Sequence, residues 1–309
     1  MPADFETGFV YDKPAWHGQA IVLDHPATAE EALDVSGLNW EVSKEDMRLD
    51  SRDVKIPNNF AIVRDIDSSI LGVVGSRYHP LQNRDAFRFF DGIIQKGEAI
   101  YHTAGSLSGG KKIWILAKLP GEISVHGKDK IEKYVLITNS HDGNSSIIAG
   151  FTAIRVVCSN TLNYALQGLE NSVYVRHTIN APDALSEAHR IMGMANESFS
   201  KVGSVFNQLS VSRINIDGFK DYLDKVFPTK AELKPGRTDN MKVEVSKLYN
   251  GQAIGADIDG FGGTLWGAYN SVVEYADYRK KSKDRLNSVW FGGGARLKER
   301  AFHEAVKMI

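Results

Sequence analysis

Residues 100–119, IYHTAGSLSGGKKIWILAKL, contain two runs of strand-forming residues on either side of the short turn Ser108-Gly109-Gly110. Glycine adopts the positive φ angles that tight hairpin turns require, so this spacing predicts a β-hairpin. In the second run, four apolar residues alternate with two lysines, a tryptophan and a leucine. This period of two predicts a strand with one apolar face and one face that mixes cations with an aromatic ring.

The hairpin lies inside a longer series of helix and strand patterns over residues 83–168. Apolar residues at helical spacing follow Asn83, a residue type that often precedes the first turn of a helix. Asp142-Gly143-Asn144 is a second strong turn signal between apolar runs. The predicted order is a helix from Asn83 towards Gly97, strands over 100–107, 111–119, 134–139 and 146–157, and a helix after Ser159. We therefore expect an antiparallel β-meander between two helices.

Two local patterns precede this core. Thr28-Ala29-Glu30-Glu31 has the form of a capping box and predicts a helix that ends near Gly37. Residues 60–64 and 70–74 are apolar runs around a polar turn, which predicts a hairpin.

Helical patterns dominate the sequence after the core. Residues 172–178 predict one more strand, and after Pro182 apolar residues at intervals of three and four predict a long amphipathic helix to Leu209. Shorter helices are predicted over residues 217–226, 239–250, 264–281 and 294–308. The expected fold class is α+β: an antiparallel β-meander flanked by helices, with an N-terminal β-rich section and a helical C-terminal region. The expected sections are residues 1–82, 83–180 and 181–309.

The composition excludes several broad classes of protein. Apolar residues make up 42% and charged residues 24%, which are ordinary values for a globular protein. The sequence has neither a run of about 18 apolar residues that could span a membrane nor a secretion signal at its start. The single cysteine, Cys158, fits a reducing compartment. We therefore expect a cytoplasmic protein without a membrane partner. The net charge of −1 excludes a nucleic-acid-binding protein that is basic over its whole length.

The sequence contains no recognisable enzyme motif. The sequence has no G-x-x-x-x-G-K-[ST] phosphate loop and no H-E-x-x-H zinc motif. Gly105-Ser106-Leu107-Ser108-Gly109 has the letters of a nucleophile elbow, but that motif needs a strand that turns into a helix, and here two predicted strands flank it. The histidines lack ligand spacing. The expectation is a protein that is not an enzyme and has no cofactor or metal.

One group of candidate functional residues lies on the central strands. A sheet face with cations and aromatic rings neutralises phosphates and offers π-faces to unpaired bases. Cross-strand pairs on a solvated sheet would explain the same residues. The candidates for nucleic-acid binding are Tyr101, Lys111, Lys112, Trp114, Lys118, Arg155 and Arg176.

A second group suggests a contact between protein chains. Trp266 and Asn270 lie on one face of the predicted helix over residues 264–281, and Phe199 and Val202 belong to the apolar stripe of the long helix. A helix–helix contact within the chain or a small functional site would also explain the Trp266 face. Meander edges need to be covered, so we expect a homo-oligomer, in the form of a ring or a filament.

Several stretches of the sequence resemble segments of a known family. They are Leu71–Asn83 (LGVVGSRYHPLQN), Thr103–Leu107, Gly110–Trp114, Asn139–Gly143 (NSHDG), Arg155–Leu162 (RVVCSNTL) and Trp266–Tyr275. In these stretches the chain resembles the phage/plasmid-like protein family, also called domain of unknown function 932. The resemblance implies a gene carried by phages and mobile elements, without a settled activity.

A looser resemblance concerns function. The helix–meander–helix order of residues 83–168 is similar to the core of Rad52-like single-strand annealing proteins, which implies a ring or filament that holds single-stranded DNA in a basic groove. By this resemblance, Lys111, Lys112, Arg155 and Arg176 would contact phosphates, and Trp114 or Tyr101 would stack on bases. The leading hypothesis is therefore a phage protein that binds or anneals single-stranded DNA in recombination or replication, without cleaving bonds.

Two other functions stay open. One is an accessory protein that binds a host factor or a nucleotide, for example to counter host defence, which the apolar faces of the long helix and the Trp266 helix suggest. The other is a metal-dependent nuclease that uses His141, Asp142 and distant acids.

Overall fold

The computed structural model describes residues 5–11, 20–94, 99–155, 157, 160–162, 172–180, 188–228, 236–282, 285–290 and 292–309. Over these residues the protein has the α+β fold predicted from the sequence, with most helices in the C-terminal half. Gly97, Cys158, Ser159 and Pro182 fall outside the described residues, as does the rest of the helix predicted beyond residue 162. In the described part, no helix is both long enough and apolar enough to cross a membrane.

The strands form two sheets. Their bounds are β1 Phe5–Tyr11, β2 Ile21–Leu23, β3 Val42–Leu49, β4 Val54–Arg64, β5 Ile70–Val74, β6 Ile100–Leu107, β7 Lys112–Val125, β8 Asp129–Ser140, β9 Ile147–Arg155, β10 Asn160–Leu162 and β11 Ser172–Val175. The larger sheet has the order β10-β9-β8-β7-β6-β1-β2, and β11 pairs with β9 beside β10. The smaller sheet is β3-β4-β5 and is antiparallel.

The predicted meander is present as β6 to β9. These four strands are neighbours in chain order, and the turns between them are short, which is the arrangement of consecutive antiparallel hairpins. In the first hairpin Leu107 lies opposite Lys112, and Gly109 and Gly110 have φ angles of 66° and 82°. A side chain at either glycine would be strained at such angles, so the turn depends on both.

The helices are α1 Ala29–Val35, α2 Asn83–Ile94, α3 Ala188–Val211, α4 Ile216–Val226, α5 Arg237–Lys247, α6 Leu265–Glu274, α7 Arg285–Trp290 and α8 Gly293–Val306. A wider π-helical turn continues α6 over Tyr275–Arg279, whereas the turn Leu248–Gln252 after α5 is kinked at Asn250 and Gly251, which have non-helical backbone angles. Thr28 caps α1 as predicted, because its hydroxyl accepts a hydrogen bond from the backbone N–H of Glu31 at 3.2 Å.

Two local predictions are wrong. Asn160–Leu162 is a strand instead of the start of a helix, because its backbone pairs antiparallel with Ala153–Arg155 at the edge of the sheet. Asn83 begins α2, but its carboxamide donates to the carbonyl of Leu38 at 3.0 Å and contacts His141 instead of capping the helix. In the first case the chain turns back on the strand just before it, and in the second a partner that is distant in sequence replaces the local one.

The chain forms two compact units that interleave in sequence. Unit 1 contains Met1–Pro120, Tyr134–Phe151 and Ser172–Ala195; unit 2 contains Gly121–Lys133, Thr152–Asn171 and Asn196–Ile309. These units do not follow the consecutive sections 1–82, 83–180 and 181–309, because β7, β8 and β9 each contribute residues to both units.

Each unit has its own aromatic core. In unit 1, Tyr101 of β6 is fully buried against α2, with ring centroids 5.5 Å from Phe87 and 6.0 Å from Phe90. In unit 2, the buried ring of Phe206 lies 4.9 Å from Trp266 and 5.9 Å from Phe302. Burial of rings of this size is a large part of what stabilises each unit.

Candidate functional site

A cleft of about 700 Å³ opens at the surface of unit 1. Three loop segments line it, Gly75–Tyr78 after β5, Gly143–Ser146 between β8 and β9, and Arg176–Thr178 after β11. Asn58 of β4 completes the lining. A cleft of this volume is in the range of sites that bind small molecules or one part of a larger chain.

Hydrogen bonds between distant segments fix the walls of the cleft. The hydroxyl of Tyr78 donates to the carbonyl of Ser140 at 2.8 Å, and the amide of Asn139 donates to the carbonyl of Leu81 at 3.0 Å. Gly72 lies so close to the opposite wall that a Cβ atom there would be 2.5 Å from the Cα atom of Asp142. The segments that contain Tyr78 and Asn139 thus form one structure, although they are far apart in sequence.

Asp142 organises the turn that forms one wall. Its carboxylate accepts hydrogen bonds from the hydroxyl of Ser140 and from the backbone N–H and side-chain amide of Asn144, the last two at 2.9 and 3.0 Å. Partial burial acts to raise the pKa of Asp142, but these hydrogen bonds and the charge of Lys112 outweigh it and lower that pKa. The aspartate is therefore ionised and committed to the turn.

Two neutral histidines lie beneath this region. The ring of His177 stacks on Tyr78 with centroids 4.6 Å apart, and burial lowers the pKa of His177 to about 4. His141 is fully buried and within 2.9 Å of the side-chain oxygen of Asn83; burial, with the nearby His177, lowers the pKa of His141 to about 3. At neutral pH neither ring adds charge to the cleft.

Four cations lie in the cleft or in the segment beside it. Arg77 and Arg176 line the cleft and are exposed. Lys111 and Lys112 lie beside its Asp142 turn, because the carbonyl of Lys111 accepts a hydrogen bond from the His141 N–H at 2.8 Å and the charge of Lys112 acts on Asp142.

None of these four cations has an ion pair with a carboxylate of a described residue. Elsewhere in unit 1, Arg48 pairs with Asp53 and Lys55 pairs with Asp46. Arg64, which is buried, pairs with both Glu6 and Asp67. The cations at the cleft therefore keep their charge available for an anion.

The structure separates this group from the predicted aromatic residues. Tyr101 is 0% exposed and its hydroxyl donates to the carbonyl of Phe87 at 2.9 Å; Trp114 is 4% exposed. The expectation that either ring stacks on a base is therefore wrong. The reason is that β7 is covered on both faces, since Ile115 and Leu116 are both 0% exposed.

Arg155 is likewise unable to contact a phosphate. It is fully buried in unit 2, where its Nε donates to Asp129 at 2.7 Å and its two terminal nitrogens donate to the carbonyls of Ile254 and Gly255, both at 3.1 Å. The indole N–H of Trp266 donates to the same oxygen of Asp129 at 2.9 Å. Arg155 neutralises a buried aspartate and holds a loop in place.

Lys118 is not part of the group at the cleft. It lies six residues along β7 from Lys112, which corresponds to roughly 20 Å at the rise of a strand. It is half-buried. The predicted nucleic-acid residues thus divide into Arg176 in the cleft, Lys111 and Lys112 beside its Asp142 turn, Lys118 farther along β7, and three buried side chains.

The residues proposed for a subunit contact are also in the interior. Trp266 and Asn270 are each 1% exposed, Phe199 is 3% exposed and Val202 is 0% exposed. The prediction that they meet another chain is wrong, because these side chains are already packed inside unit 2, where Phe206 of the same stripe contacts Trp266 and Lys133 of β8 lies over the ring of Phe199. The regular spacing of apolar residues along these two helices therefore reflects the core of unit 2.

His141 and Asp142, the residues of the nuclease hypothesis, have structural contacts instead. His141 is buried against Asn83, and Asp142 accepts the hydrogen bonds of its turn. Over the described ranges, no group of three or more histidine, cysteine, aspartate or glutamate residues is placed to hold a metal ion.

Two surface residues escaped the sequence interpretation. Arg77 lies within Leu71–Asn83, a stretch that resembles a known family, and is not among the residues predicted to bind nucleic acid. Tyr174 is 68% exposed on β11, next to the buried Val175. The alternation of residues 172–178 contained the signal for Tyr174, since positions two apart share one face of a strand.

A family model described as "Domain of unknown function (DUF932)" matches residues 70–301. The chain belongs to this family. In this DUF932 protein, all residues that line the cleft except Asn58 lie within the matched region. The same is true of Lys111, Lys112 and Tyr174. No curated protein and no solved structure matches the chain.

Proposed function

We propose that this DUF932 protein binds single-stranded DNA at the cleft of unit 1, as a protein that holds or anneals strands in recombination or replication of a phage or mobile element without cleaving them. The observation that carries the proposal is a group of four cations that form no ion pair with a carboxylate of a described residue: Arg77, Lys111, Lys112 and Arg176. Cations of this kind release bound counterions when they contact phosphates.

The type of cation supports a phosphate ligand. Arg77 and Arg176 reach the cleft from different segments, and a guanidinium group donates two parallel hydrogen bonds to phosphate oxygens. Lys112 also lies near the ionised Asp142, which is already satisfied by its turn and leaves the lysine able to approach a second anion.

The size of the cleft supports an unpaired strand. A volume of about 700 Å³ is that of a small-molecule site and admits a nucleotide-sized group, whereas a base-paired duplex is far wider. Asn58, Asn144 and Ser145 supply polar groups around the same opening. These groups donate and accept hydrogen bonds with sugars or bases.

Self-association is part of this proposal, because annealing requires two strands to be held at once. The strand β5 is an edge of the smaller sheet and exposes Ile70 and Val73, at 63% and 50%. Exposed apolar edges of this kind promote pairing with another chain. Light scattering with and without an oligonucleotide tests this part, and a monomeric mass in both samples contradicts it.

Binding is tested by fluorescence anisotropy with a labelled single-stranded oligonucleotide over a range of salt concentrations. Arg77→Ala combined with Arg176→Ala is expected to weaken binding and to reduce the slope of log K against log salt by about 0.7 for each phosphate that the protein no longer neutralises. Arg48→Ala combined with Lys55→Ala is the matched control, since it removes two cations of unit 1 that already have carboxylate partners.

The control pair is expected to retain nearly the affinity of the parent protein. Absence of binding at low salt by the parent protein contradicts the proposal. Equal weakening by both pairs of substitutions also contradicts it, because only total charge would then matter.

A further inference from the structure

Tyr174 is an exposed aromatic residue on an ordered strand. Its side chain is 68% exposed, and no other phenylalanine, tyrosine or tryptophan whose burial the structure describes is exposed to a comparable degree. It pairs through its backbone with Ile148 of β9, so its position on the sheet is fixed. A protein gains stability when such a ring is buried, and a lone ring held outward is available for a ligand.

Tyr174 and Arg176 lie on the same side of the segment. Val175 and His177, which alternate with them, are buried at 8% and 7% exposure, while Arg176 is exposed. Positions two apart on extended backbone are separated by roughly 7 Å. Arg176 also lines the cleft, so the backbone that carries the exposed ring is roughly 7 Å from that of a cleft cation.

We infer that Tyr174 is a stacking platform for an unpaired base of the bound strand, next to a phosphate that Arg176 holds. This inference rests on the proposed function, because it names how the same site selects its ligand. A base in a duplex is covered on both faces by its neighbours, whereas an unpaired base offers a free face. A stacked tyrosine therefore favours single strands with little preference for sequence.

Phenolic and phenyl rings stack alike, so two substitutions separate stacking from other roles. Tyr174→Phe keeps the ring and removes the hydroxyl; Tyr174→Ala removes the ring. Both change an exposed side chain, and circular dichroism and unfolding curves establish that the fold is retained. The probes are a labelled single-stranded oligonucleotide and an abasic oligonucleotide of the same length, measured by anisotropy.

We expect Tyr174→Phe to bind like the parent protein and Tyr174→Ala to bind the base-containing oligonucleotide about tenfold more weakly. The abasic oligonucleotide keeps the phosphates but lacks the rings to stack on. Its affinity is expected to be the same for the parent protein and Tyr174→Ala. The preference of the parent protein for single strands over duplex is expected to shrink by the same factor in Tyr174→Ala.

The experiment distinguishes failure of the proposed function from failure of the stacking role alone. If the parent protein binds neither oligonucleotide, the proposed function fails, and this inference fails with it. If the parent protein binds but Tyr174→Ala keeps full affinity for the base-containing strand, the stacking role alone is overturned. A loss with Tyr174→Ala that is equal for both oligonucleotides also overturns it, since the ring would then act without a base.

Discussion

Tyr78 donates a hydrogen bond to the backbone carbonyl of Ser140 at 2.8 Å across 62 residues of sequence. The bond joins the segment after β5 to the end of β8, and both segments continue into walls of the cleft. Burial raises the pKa of Tyr78, so the phenol remains protonated and able to donate.

Tyr78→Phe removes this donor and leaves the ring stacked on His177. We expect the free energy of unfolding to fall by about 1 kcal/mol, the usual net value of one hydrogen bond. Urea unfolding measures this loss. An unchanged midpoint with an unchanged slope would show that the bond does not hold the two walls together.

Gly72 is expected to tolerate no side chain. A Cβ atom at Gly72 would lie 2.5 Å from the Cα atom and 2.7 Å from the carbonyl oxygen of Asp142, and backbone atoms cannot move aside easily. Gly72→Ala should therefore destabilise the protein by about 1–3 kcal/mol. Gly75→Ala is the matched control, since no atom lies within 4 Å of a Cβ placed there. Thermal unfolding of the two variants compares them, and equal melting temperatures would refute the close approach.

Arg155 is expected to matter for stability and not for binding of DNA. Arg155→Met leaves the carboxylate of Asp129 buried without its counter-ion, which costs about 3–5 kcal/mol. Adding Asp129→Asn removes the stranded charge and should recover part of the loss. Guanidinium unfolding measures both variants. A stable Arg155→Met variant with weakened binding would reverse this assignment and return Arg155 to the binding surface.

Two buried imidazoles are expected to make stability depend on pH. The pKa of His177 is lowered to about 4 and that of His141 to about 3, in each case mainly by burial. In an unfolded chain both rings return to a pKa of about 6.5. Below that value the unfolded chain binds more protons than the folded protein. Their contribution is therefore complete above about pH 6.5 and is lost as the pH falls towards the folded values.

His177→Gln tests this dependence. Each ring accounts for a slope of up to about 1.4 kcal/mol per pH unit in the free energy of unfolding. The variant should lose the part of the slope due to His177 between about pH 6 and 4 and keep the part due to His141. Urea unfolding at several pH values gives the slopes. Identical slopes in the variant and the parent protein would exclude His177 as the titrating group.

The sequence predicted the elements whose signals lie within a few residues. The turn Ser108-Gly109-Gly110 and the cap by Thr28 are determined by neighbouring residues, and both are present. The helix predicted after Ser159 is wrong at Asn160–Leu162, because these residues pair with Ala153–Arg155 of β9, and apolar residues at helical spacing do not show that the chain turns back on itself.

The lack of long-range information in a local pattern also explains why Trp114 and Arg155 are wrongly predicted as binding residues. The period of two in β7 gave the alternation of side chains but not the fact that other elements cover both faces, so Trp114 was placed at the surface. The sequence predicts a phosphate contact for Arg155 because nothing near it in the chain indicates its buried partner, Asp129, which lies 26 residues away. Exposure depends on what packs against a face, and that information is spread over the whole chain.

Lys111 and Lys112 are the residues for which the sequence and the structure lead to the same test. Lys112 begins β7 and Lys111 precedes it, both beside the Asp142 turn, and neither forms an ion pair with a carboxylate of a described residue. Lys111→Ala combined with Lys112→Ala should weaken binding of single-stranded DNA and reduce the salt slope by about 0.7 for each phosphate left without a lysine. Lys118→Ala is the control from the same strand, roughly 20 Å away. Anisotropy titrations at several salt concentrations give the slopes. A control that weakens binding as much per lysine would mean that the strand of DNA does not follow the cleft.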